Sequence, residues 1–419
     1  MKRRSLFKAA LLSNLPILHA NFAEAAVFSG KYLLSIQADG AWDVTLYCDP
    51  KENVPGEEKI TNWSDNEATQ QAGNIPYAPF ANNASLFEKH YQRMLVINGV
   101  DFQTNAHGIG VTNAWSGRTA AGYPSLGALY AASENYYLNS PMPYLSFGGY
   151  SYAANLVNPT ILQNPGGLKE LLVPQIKWGG NKIDDDDFEL VQTMLIKDGI
   201  NKVNDTTTLG GNYERRKAYL DSVQNFHKLS PLADILPEND DLAPQGRSGN
   251  LMVQAQLALL SFKSGITVSA DIIQGGFDTH DNNDNGQEPI LSDINDTVDF
   301  IWEYAEELGI ADRLIVFISS DFGRTPYYNA ANGKDHWPIS SYIIMENSAG
   351  YTNQVIGSTD EGQNAIGVDP GTNAAKANGT KLVTADVHKA MRSYLGIVDD
   401  PIVQKFALNP SQEEFDFFT

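Results

Sequence analysis

The stretch LIVFISSDFGR, residues 314–324, decides the fold class of this chain. Its first six residues form a near-continuous apolar run, which is typical of a strand buried on both faces of a parallel sheet. Asp321 follows directly after this strand, and Gly323 gives the backbone freedom to turn sharply behind it. The stretch therefore predicts a carboxylate at the carboxyl end of a buried strand, where open α/β sheets present their ligands.

Strand and helix patterns alternate on either side of this stretch. The predicted strands cover residues 31–38, 94–98, 268–273, 314–319 and 341–345. The predicted helices cover residues 124–132, 188–196, 213–229, 251–262, 290–308 and 384–395. This alternation predicts an α/β fold in which a mostly parallel sheet carries helices on both sides.

Two regions depart from the alternation. Residues 49–84 are polar and rich in Asn, Pro and Glu, which predicts a long loop. Residues 149–245 hold two predicted helices followed by several prolines, and we interpret them as a helical insertion or cap. We therefore expect one α/β domain over residues 26–419, with the cap or insertion at about 149–245.

Composition and charge exclude several classes of protein. The chain has 419 residues, 42% of them hydrophobic, which supports a buried core and excludes global disorder. Its formal net charge of −21 excludes nucleic acid as a partner, because a polyanion would be repelled. Cys48 is the only cysteine, so neither an intrachain disulfide nor a thiolate metal cluster can form.

Residues 1–25 have the pattern of an export signal. A basic start that includes Arg3 and Arg4 precedes a modestly apolar segment, and residues 23–25 form an A-x-A cleavage pattern. The arginine pair resembles a twin-arginine signal, which exports folded proteins, and the general export route is the alternative. No later segment has the ~18 apolar residues that a membrane span needs. We predict a periplasmic or secreted bacterial protein, and the sequence leaves its oligomeric state open.

Aspartates and histidines gather at the predicted strand ends. Asp39 directly follows the first strand, Asp321 follows the strand of the opening stretch, and Asp278 and His280 lie together after another. His336 lies in a further loop, and the chain has only seven histidines in all. Carboxylate oxygens and neutral imidazoles together are typical ligands of zinc, manganese or iron. These five residues predict a site for one or two divalent metal ions, with zinc, manganese and calcium as the candidates.

A second acidic pattern follows the His280 loop. Asp281, Asn283, Asn285 and Gly286 have the spacing of the first half of a calcium-binding loop. The twelfth position is Ser292 instead of a glutamate, so a polar turn is the favoured interpretation.

Four short motifs, spread over nearly the whole chain after the signal, carry a family resemblance: DGAWD (39–43), GFDTH (276–280), SDFGRT (320–325) and GKDH (333–336). They resemble an exported bacterial family catalogued as domain of unknown function 1501, a relative of the alkaline phosphatase and sulfatase superfamily. The resemblance implies an alkaline-phosphatase-like three-layer α/β/α sandwich with metal ligands on loops at one sheet edge.

Carried over by position, the resemblance also assigns the metal ligands. It implies that Asp39 and Asp321 hold one metal ion and that Asp278, His280 and His336 hold the other. Two ions a few ångströms apart stabilise the attacking and leaving oxygens of phosphoryl-type transfer.

The position of the nucleophile departs from the family pattern. The resemblance places it near the start of a helix after the second strand, where related chains have Ser-His and this chain has Ala106-His107. Thr104 or a metal-activated water is then the candidate nucleophile, and His107 is a candidate ligand or acid. Arg324 and His107 are candidates for binding substrate oxygens. The sulfatase modification motif is incomplete, because Glu52 stands where the pattern that begins at Cys48 requires arginine.

These expectations define two functional hypotheses. The first is an exported metal-dependent hydrolase of phosphate or sulfate esters, whose substrate is a small molecule or a glycan ester. The second is a non-catalytic exported protein that keeps the fold and binds a glycan or a partner protein.

Overall fold

The computed structural model describes residues 28–138, 140–163, 167–172, 185–205, 226–237, 250–411 and 413–419, and seven single positions between 213 and 224. The predicted export signal, residues 1–25, lies outside these described residues. Among the described residues, no helix combines the length and the apolar composition that crossing a membrane requires.

An eight-stranded sheet forms the centre of the molecule. Along the chain its strands are β1 (Tyr32–Ala38), β4 (Met94–Asp101), β5 (Tyr144–Ser146), β6 (Thr160–Ile161), β7 (Ser269–Gln274), β8 (Leu314–Ser320), β11 (Ile339–Glu346) and β12 (Gln354–Ile356). Their order across the sheet is β12-β4-β11-β8-β1-β7-β5-β6. Only β11 runs antiparallel to its two neighbours, so the prediction of a mostly parallel sheet is confirmed.

Two small two-stranded sheets lie outside the central one. The strands β2 (Gln70–Ala72) and β3 (Ile75–Tyr77) pair antiparallel within the region predicted to be a long loop. The strands β9 (Gly323–Arg324) and β10 (His336–Trp337) pair antiparallel just beyond the end of β8. This second pair ties the loop after β8 to the loop that carries His336.

Helices connect the strands throughout. The described helices are α1 (Asn83–His90), α2 (His107–Ser116), α3 (Leu126–Leu138), α4 (Gly167–Leu172), α5 (Asp185–Asn204), α6 (Ser230–Ile235), α7 (Asn250–Lys263), α8 (Asn283–Glu307) and α9 (Thr384–Tyr394). Helix α8 begins at Asn283, seven residues before the predicted start. Of the residues with calcium-loop spacing, Asn283, Asn285 and Gly286 therefore lie in its first turn, and Asp281 lies two residues before it.

Side-chain contacts place helices on both faces of the sheet. Phe317 of β8 packs edge-on against Trp115 of α2 and against His388 of α9. Tyr32 of β1 faces the other way and stacks on Phe262 of α7 at 4.9 Å. Because α8 packs against α7, the second face is covered by both. The predicted three-layer α/β/α fold is confirmed.

The region from residue 149 to 245 is only partly described. It begins with β6, which extends the edge of the central sheet, and continues through the helices α4, α5 and α6. The predicted helix over residues 213–229 lies largely outside the described residues. Helix α6 packs against α7, so part of this region rests on the core, and its role as a cap stays a prediction.

Candidate metal centre

Three histidines and one aspartate converge at the carboxyl edge of the parallel strands. The Nε2 atom of His336 lies 3.1 Å from that of His107 and 2.9 Å from that of His280. The Oδ1 atom of Asp278 lies 3.1 Å from Nε2 of His280 and 3.2 Å from Nε2 of His336. It lies 3.5 Å from Nε2 of His107. Ligands at about 2 Å from a tetrahedral metal ion are about 3.3 Å apart. The ligand atoms of His107, Asp278 and His336 all lie within 4.8 Å of one another, so these three fit a single ion, and His280 borders them.

The second nitrogen of each ring fixes its tautomer. The Nδ1 partners are a carboxylate oxygen of Asp321 for His107, Oδ1 of Asp335 at 2.9 Å for His280, and the carbonyl oxygen of Asn105 at 2.8 Å for His336. A carbonyl or carboxylate oxygen accepts, so each Nδ1 donates its proton. Each neutral ring is thereby left with a lone pair on Nε2, directed at the centre.

The centre thus gathers acceptors with one donor beside them, Nη2 of Arg324, which lies 2.7 Å from Oδ1 of Asp278. Among the described residues, the imidazole lone pairs have no donor of their own, and their mutual approach is repulsive unless a cation lies between them. Histidines that bind metals almost always donate their other N–H to a carboxylate or a backbone carbonyl, as all three do here. The residues present therefore fit a divalent metal ion.

Four loops carry these side chains to one edge of the sheet. The loop after β4 leads into α2, whose first residue is His107. The loop after β7 carries Asp278 and His280, and the loop after β8 begins with Asp321. His336 lies on β10, which pairs with β9. Because parallel strands end at the same edge, residues far apart in sequence meet there.

Two glycines allow these loops to approach closely. Gly40 has a φ of +112°, and a side-chain carbon there would lie 2.7 Å from the backbone nitrogen of Asp278. At Gly333 such a carbon would lie 1.9 Å from the carbonyl oxygen of His280. The backbone at Gly40 and at Gly333 therefore packs directly against the loop that carries Asp278 and His280, and only glycine fits at these two contacts.

Arg324 lies beneath the centre, with its side chain fully buried. It donates from Nε to Ala41 O at 2.8 Å, from Nη1 to Lys334 O at 3.0 Å, and from Nη2 to Phe277 O at 2.9 Å, Asp278 Oδ1 at 2.7 Å and Gly40 O. The sequence predicts that Arg324 binds substrate oxygens, but its donors are directed at the protein instead. It joins three of the loops and orients the carboxylate of Asp278.

The pKa values of the acids follow these contacts. Desolvation acts to raise the pKa of Asp278, but the hydrogen bond and charge of Arg324, together with the neighbouring His336, outweigh it and lower the pKa to about 2. The hydrogen bond to His280 lowers the pKa of Asp335. The hydrogen bond to Asp321 is the largest influence on His107 and raises its pKa. Asp278 and Asp335 are therefore charged at neutral pH and favour a cation.

Asp321 is engaged on both oxygens. Its Oδ1 accepts the backbone N–H groups of Gly40 at 3.2 Å and Ala41 at 2.6 Å, and its Oδ2 contacts Nδ1 of His107. The structure therefore brings Asp321 to the centre as the residue that orients His107. The side chain of Asp39 reaches solvent, and partial desolvation by the surrounding loops together with the charge of Asp321 raises its pKa. Its predicted pairing with Asp321 around a metal ion stays a prediction.

The structure also shows the surroundings of Ala106, Thr104 and Cys48, the residues at or near the positions of the family's nucleophiles. Ala106 directly precedes α2 and offers no hydroxyl. Thr104 is half-buried, and its Oγ1 accepts a hydrogen bond from the backbone N–H of Ala106 at 3.1 Å. This bond stabilises the loop that leads into α2. Cys48 is fully buried, where desolvation strongly raises the pKa of its thiol. A thiol buried in this way is out of reach of a substrate.

Some roles were not predicted from the sequence. His107 joins His280 and His336 as a ligand candidate, whereas the sequence left it between ligand and acid. The partners Asp335 and Asn105 were missed as well, although Asp335 directly precedes His336 in a motif singled out for its histidine. Backbone acceptors such as Asn105 O leave no signal in a sequence.

Fold and site together define a three-layer α/β protein with a histidine-rich candidate metal centre on its strand-end loops. The model of a family described as "Protein of unknown function (DUF1501)" matches residues 239–407. The match supports the family resemblance over these residues, which include three of the four motifs on which the resemblance rests. No curated protein matches the chain.

Several solved structures have a similar arrangement at very low sequence identity. A protein named Ps i-CgsB has 7% identity and a TM-score of 0.42, over 93% of this chain and 75% of its own. The alkaline phosphatase of the Antarctic bacterium TAB5 has 9% identity and a TM-score of 0.34, over 78% and 94%. The phosphonate monoester hydrolase of Agrobacterium radiobacter has 11% identity and a TM-score of 0.35, over 87% and 74%.

Proposed function

We propose that this protein is an exported metal-dependent hydrolase of phosphate or sulfate esters. The observation that carries the proposal is the convergence of three imidazole Nε2 atoms on Oδ1 of Asp278 at 3.1–3.5 Å. This arrangement lies in an accessible place, since the side chains of Asp278 and His280 are 49% and 47% exposed. A purely structural metal site is normally closed, whereas a catalytic one keeps a position open for a ligand.

Three side chains of the proposed metal site, His107, Asp278 and His336, lie close enough to hold one ion, and His280 lies beside them as a further candidate ligand. A divalent ion held there supplies Lewis acidity toward an ester oxygen and lowers the pKa of a bound water. Three imidazoles with one carboxylate favour zinc or manganese, because calcium binds mainly oxygen ligands. A second ion at Asp39 and Asp321 is compatible with the exposure of Asp39, but the oxygens of Asp321 already have protein partners.

The described side chains near the centre offer no obvious nucleophile of their own. Ala106 occupies the position of the family's serine, and Thr104 uses its Oγ1 to hold the N–H of Ala106. Water is therefore the proposed nucleophile. Its oxygen forms a bond to phosphorus or sulfur, the bond from that atom to the ester oxygen breaks, and one proton passes from the water to the leaving oxygen. An alcohol and the free oxyanion are the products.

Two residues keep the ligands in place during such a reaction. Arg324 holds Asp278 from below, and Asp335 holds His280 from the side. Neither has to move for a substrate to reach the centre. A site that is organised before its substrate arrives loses little to reorganisation.

Metal analysis with a panel of phosphate and sulfate esters tests the proposal. The purified protein is expected to contain zinc or manganese and to hydrolyse at least one ester. His280→Gln is expected to remove both the metal and the activity. His90→Gln is the matched control, because His90 bonds to Asp299 at 3.0 Å, away from the four loops. Metal without turnover of any ester would instead support the alternative of an exported binding protein.

Export is part of the same proposal and rests on residues 1–25. We propose that the protein is released into the periplasm or medium after cleavage near residue 25. Cell fractionation combined with the mass of the exported chain tests this. An intact amino terminus in the cytoplasmic fraction alone would contradict it.

A further inference from the structure

The four segments that surround the centre contain far more acidic than basic residues. They comprise residues 39–43, 102–109, 275–284 and 320–338, all of which the structure describes. Their cationic residues are Arg324 and Lys334, whereas they contain seven aspartates. The charge around the centre is therefore strongly negative before any ion binds.

Neither cation of these segments is available to a ligand. The side chain of Lys334 is fully buried, and its Nζ lies 2.8 Å from Oδ2 of Asp43 and 3.0 Å from Oγ1 of Thr45. Arg324 is fully buried as well, and it donates to four backbone carbonyls and to Asp278. A doubly charged phosphate group is usually bound by arginine or lysine side chains, and these segments present neither to solvent.

The aspartates, in contrast, face the solvent around the centre. Asp39, Asp278, Asp281 and Asp335 are exposed, and the charge of the whole chain has the same sign. An anion that approaches this edge is repelled in proportion to its own charge.

One feature offers an anion limited compensation. Helix α2 begins at His107, and its N-cap residue Ala106 makes no side-chain hydrogen bond to the first turn. The N–H groups of an uncapped first turn are equivalent to roughly half a positive charge. This helix end therefore suits an oxyanion of low charge.

We propose that the centre selects tetrahedral oxyanion esters with a single negative charge, namely sulfate monoesters and phosphodiesters, over doubly charged phosphate monoesters. The inference rests on the proposed metal centre. A divalent ion and the end of α2 together oppose four exposed carboxylates, so one further negative charge is tolerated better than two. Sulfate monoesters and phosphodiesters share this single charge, and a comparison of one ester of each kind shows which of the two the protein uses.

Binding of two unreactive anions gives a test that is independent of turnover. Methyl phosphate is doubly charged at about pH 8 and dimethyl phosphate singly charged, and they differ by one methyl group. Calorimetry on the metal-loaded protein at low ionic strength is expected to show dimethyl phosphate binding about threefold or more tightly. Tighter binding of methyl phosphate would overturn the proposal, whatever the activity.

A charge reversal at the edge of the centre gives the second test. Asp281 follows His280, and only its backbone pairs with Asn332, so Asp281→Lys changes the local charge without removing a ligand. Asp399→Lys is the matched control, because Asp399 is an exposed aspartate after α9, outside the four segments. Asp281→Lys is expected to shift the preference toward methyl phosphate about threefold, and the control is expected to leave it unchanged. Equal effects of the two substitutions would contradict the proposal.

Turnover separates this inference from the proposed function. The esters are 4-nitrophenyl sulfate, bis(4-nitrophenyl) phosphate and 4-nitrophenyl phosphate, which share one leaving group. The two singly charged esters are expected to have the higher kcat/KM, and their comparison shows which one the enzyme uses. Absence of turnover for all three contradicts the hydrolase, while the anion-binding preference still decides the inference. A higher kcat/KM for 4-nitrophenyl phosphate would overturn the inference and leave the hydrolase intact.

Discussion

Oδ1 of Asp335 lies 2.9 Å from Nδ1 of His280 and holds that ring with its Nε2 lone pair directed at the centre. The pair joins two loops that are 55 residues apart in the chain. Asp335 does not face the proposed ion itself. It acts through His280, by fixing the tautomer and by increasing the basicity of the ring.

Replacement of Asp335 is therefore expected to weaken metal binding with little effect on folding. The side chain is 59% exposed, so Asp335→Ala leaves no buried group without a partner. We expect the affinity for zinc to fall about 10- to 100-fold, as is typical when the partner of a metal-binding histidine is lost. A competition titration with a chromophoric chelator measures this change.

Asp281→Ala is the matched control for this experiment. It removes an exposed aspartate from the same loop region, and no side-chain hydrogen bond is lost with it. The two variants change the charge equally, so any difference between them reports the hydrogen bond to His280. Equal zinc affinities in the two variants would contradict the positioning role of Asp335.

Arg324 is expected to be essential for the arrangement of the loops. Arg324→Met removes donors from four buried carbonyl groups and from Asp278, and such losses cost about 3–5 kcal/mol of the free energy of unfolding. Urea denaturation of the metal-free protein measures this cost.

Arg93→Met serves as the comparison for Arg324. Arg93 covers the ring of Trp302 at 4.7 Å and pairs with the largely exposed Glu306, so its loss is expected to cost about 1 kcal/mol or less. If both variants lost similar stability, Arg324 would not be the link between the loops that its contacts indicate.

The sheet could be predicted from the sequence because its strands are buried on both faces. The predicted strand over residues 314–319 differs from β8 by one residue, and the predicted strand over residues 31–38 differs from β1 by one. Helix α8 was predicted seven residues too short, because Pro289 and the polar residues before it resemble a turn. Local pattern does not show that tertiary contacts hold those residues in a helix.

The candidate centre could be predicted only in part. Asp278, His280 and His336 were predicted to share a site with Asp39 and Asp321 because carboxylates and imidazoles follow several strands, and the family resemblance grouped these three around one ion. The sequence could not show that Asp321 bonds to His107 or that Arg324 is directed inward. Those roles depend on the direction of side chains and on the positions of backbone carbonyls. Residue types alone reveal neither of these.

Gly333 is expected to be required for both stability and metal binding. In Gly333→Ala the new methyl group would lie 1.9 Å from the carbonyl oxygen of His280, and backbone on both sides must move. We expect a loss of about 1–3 kcal/mol, comparable to overpacking in a core, and weaker zinc binding because the His280 loop is displaced. Gly350→Ala is the control, since nothing lies within 4 Å of its added carbon. A variant at Gly333 that binds zinc like the control would contradict the close approach of the two loops.

His388 is expected to make the protein sensitive to acid, apart from any effect at the centre. It is fully buried beneath the sheet, and its Nε2 donates to the carbonyl oxygen of Ala114 at 2.8 Å. Desolvation lowers the pKa of His388 from 6.5 to about 3 in the folded state. Below about pH 6.5 the unfolded chain therefore binds a proton that the folded chain does not, so stability falls as the pH decreases toward 3.

The size of this contribution is about 1.4 kcal/mol for each pH unit within that window. His388→Gln keeps a donor for Ala114 but does not titrate, so its stability should depend less steeply on pH. Urea denaturation of the wild type and the variant at about pH 7 and about pH 5 gives the comparison. We expect the variant to be the less stable at the higher pH and the difference to shrink by about 2 kcal/mol at the lower pH. A difference that stays constant between the two pH values would show that the buried imidazole does not resist protonation in the folded protein.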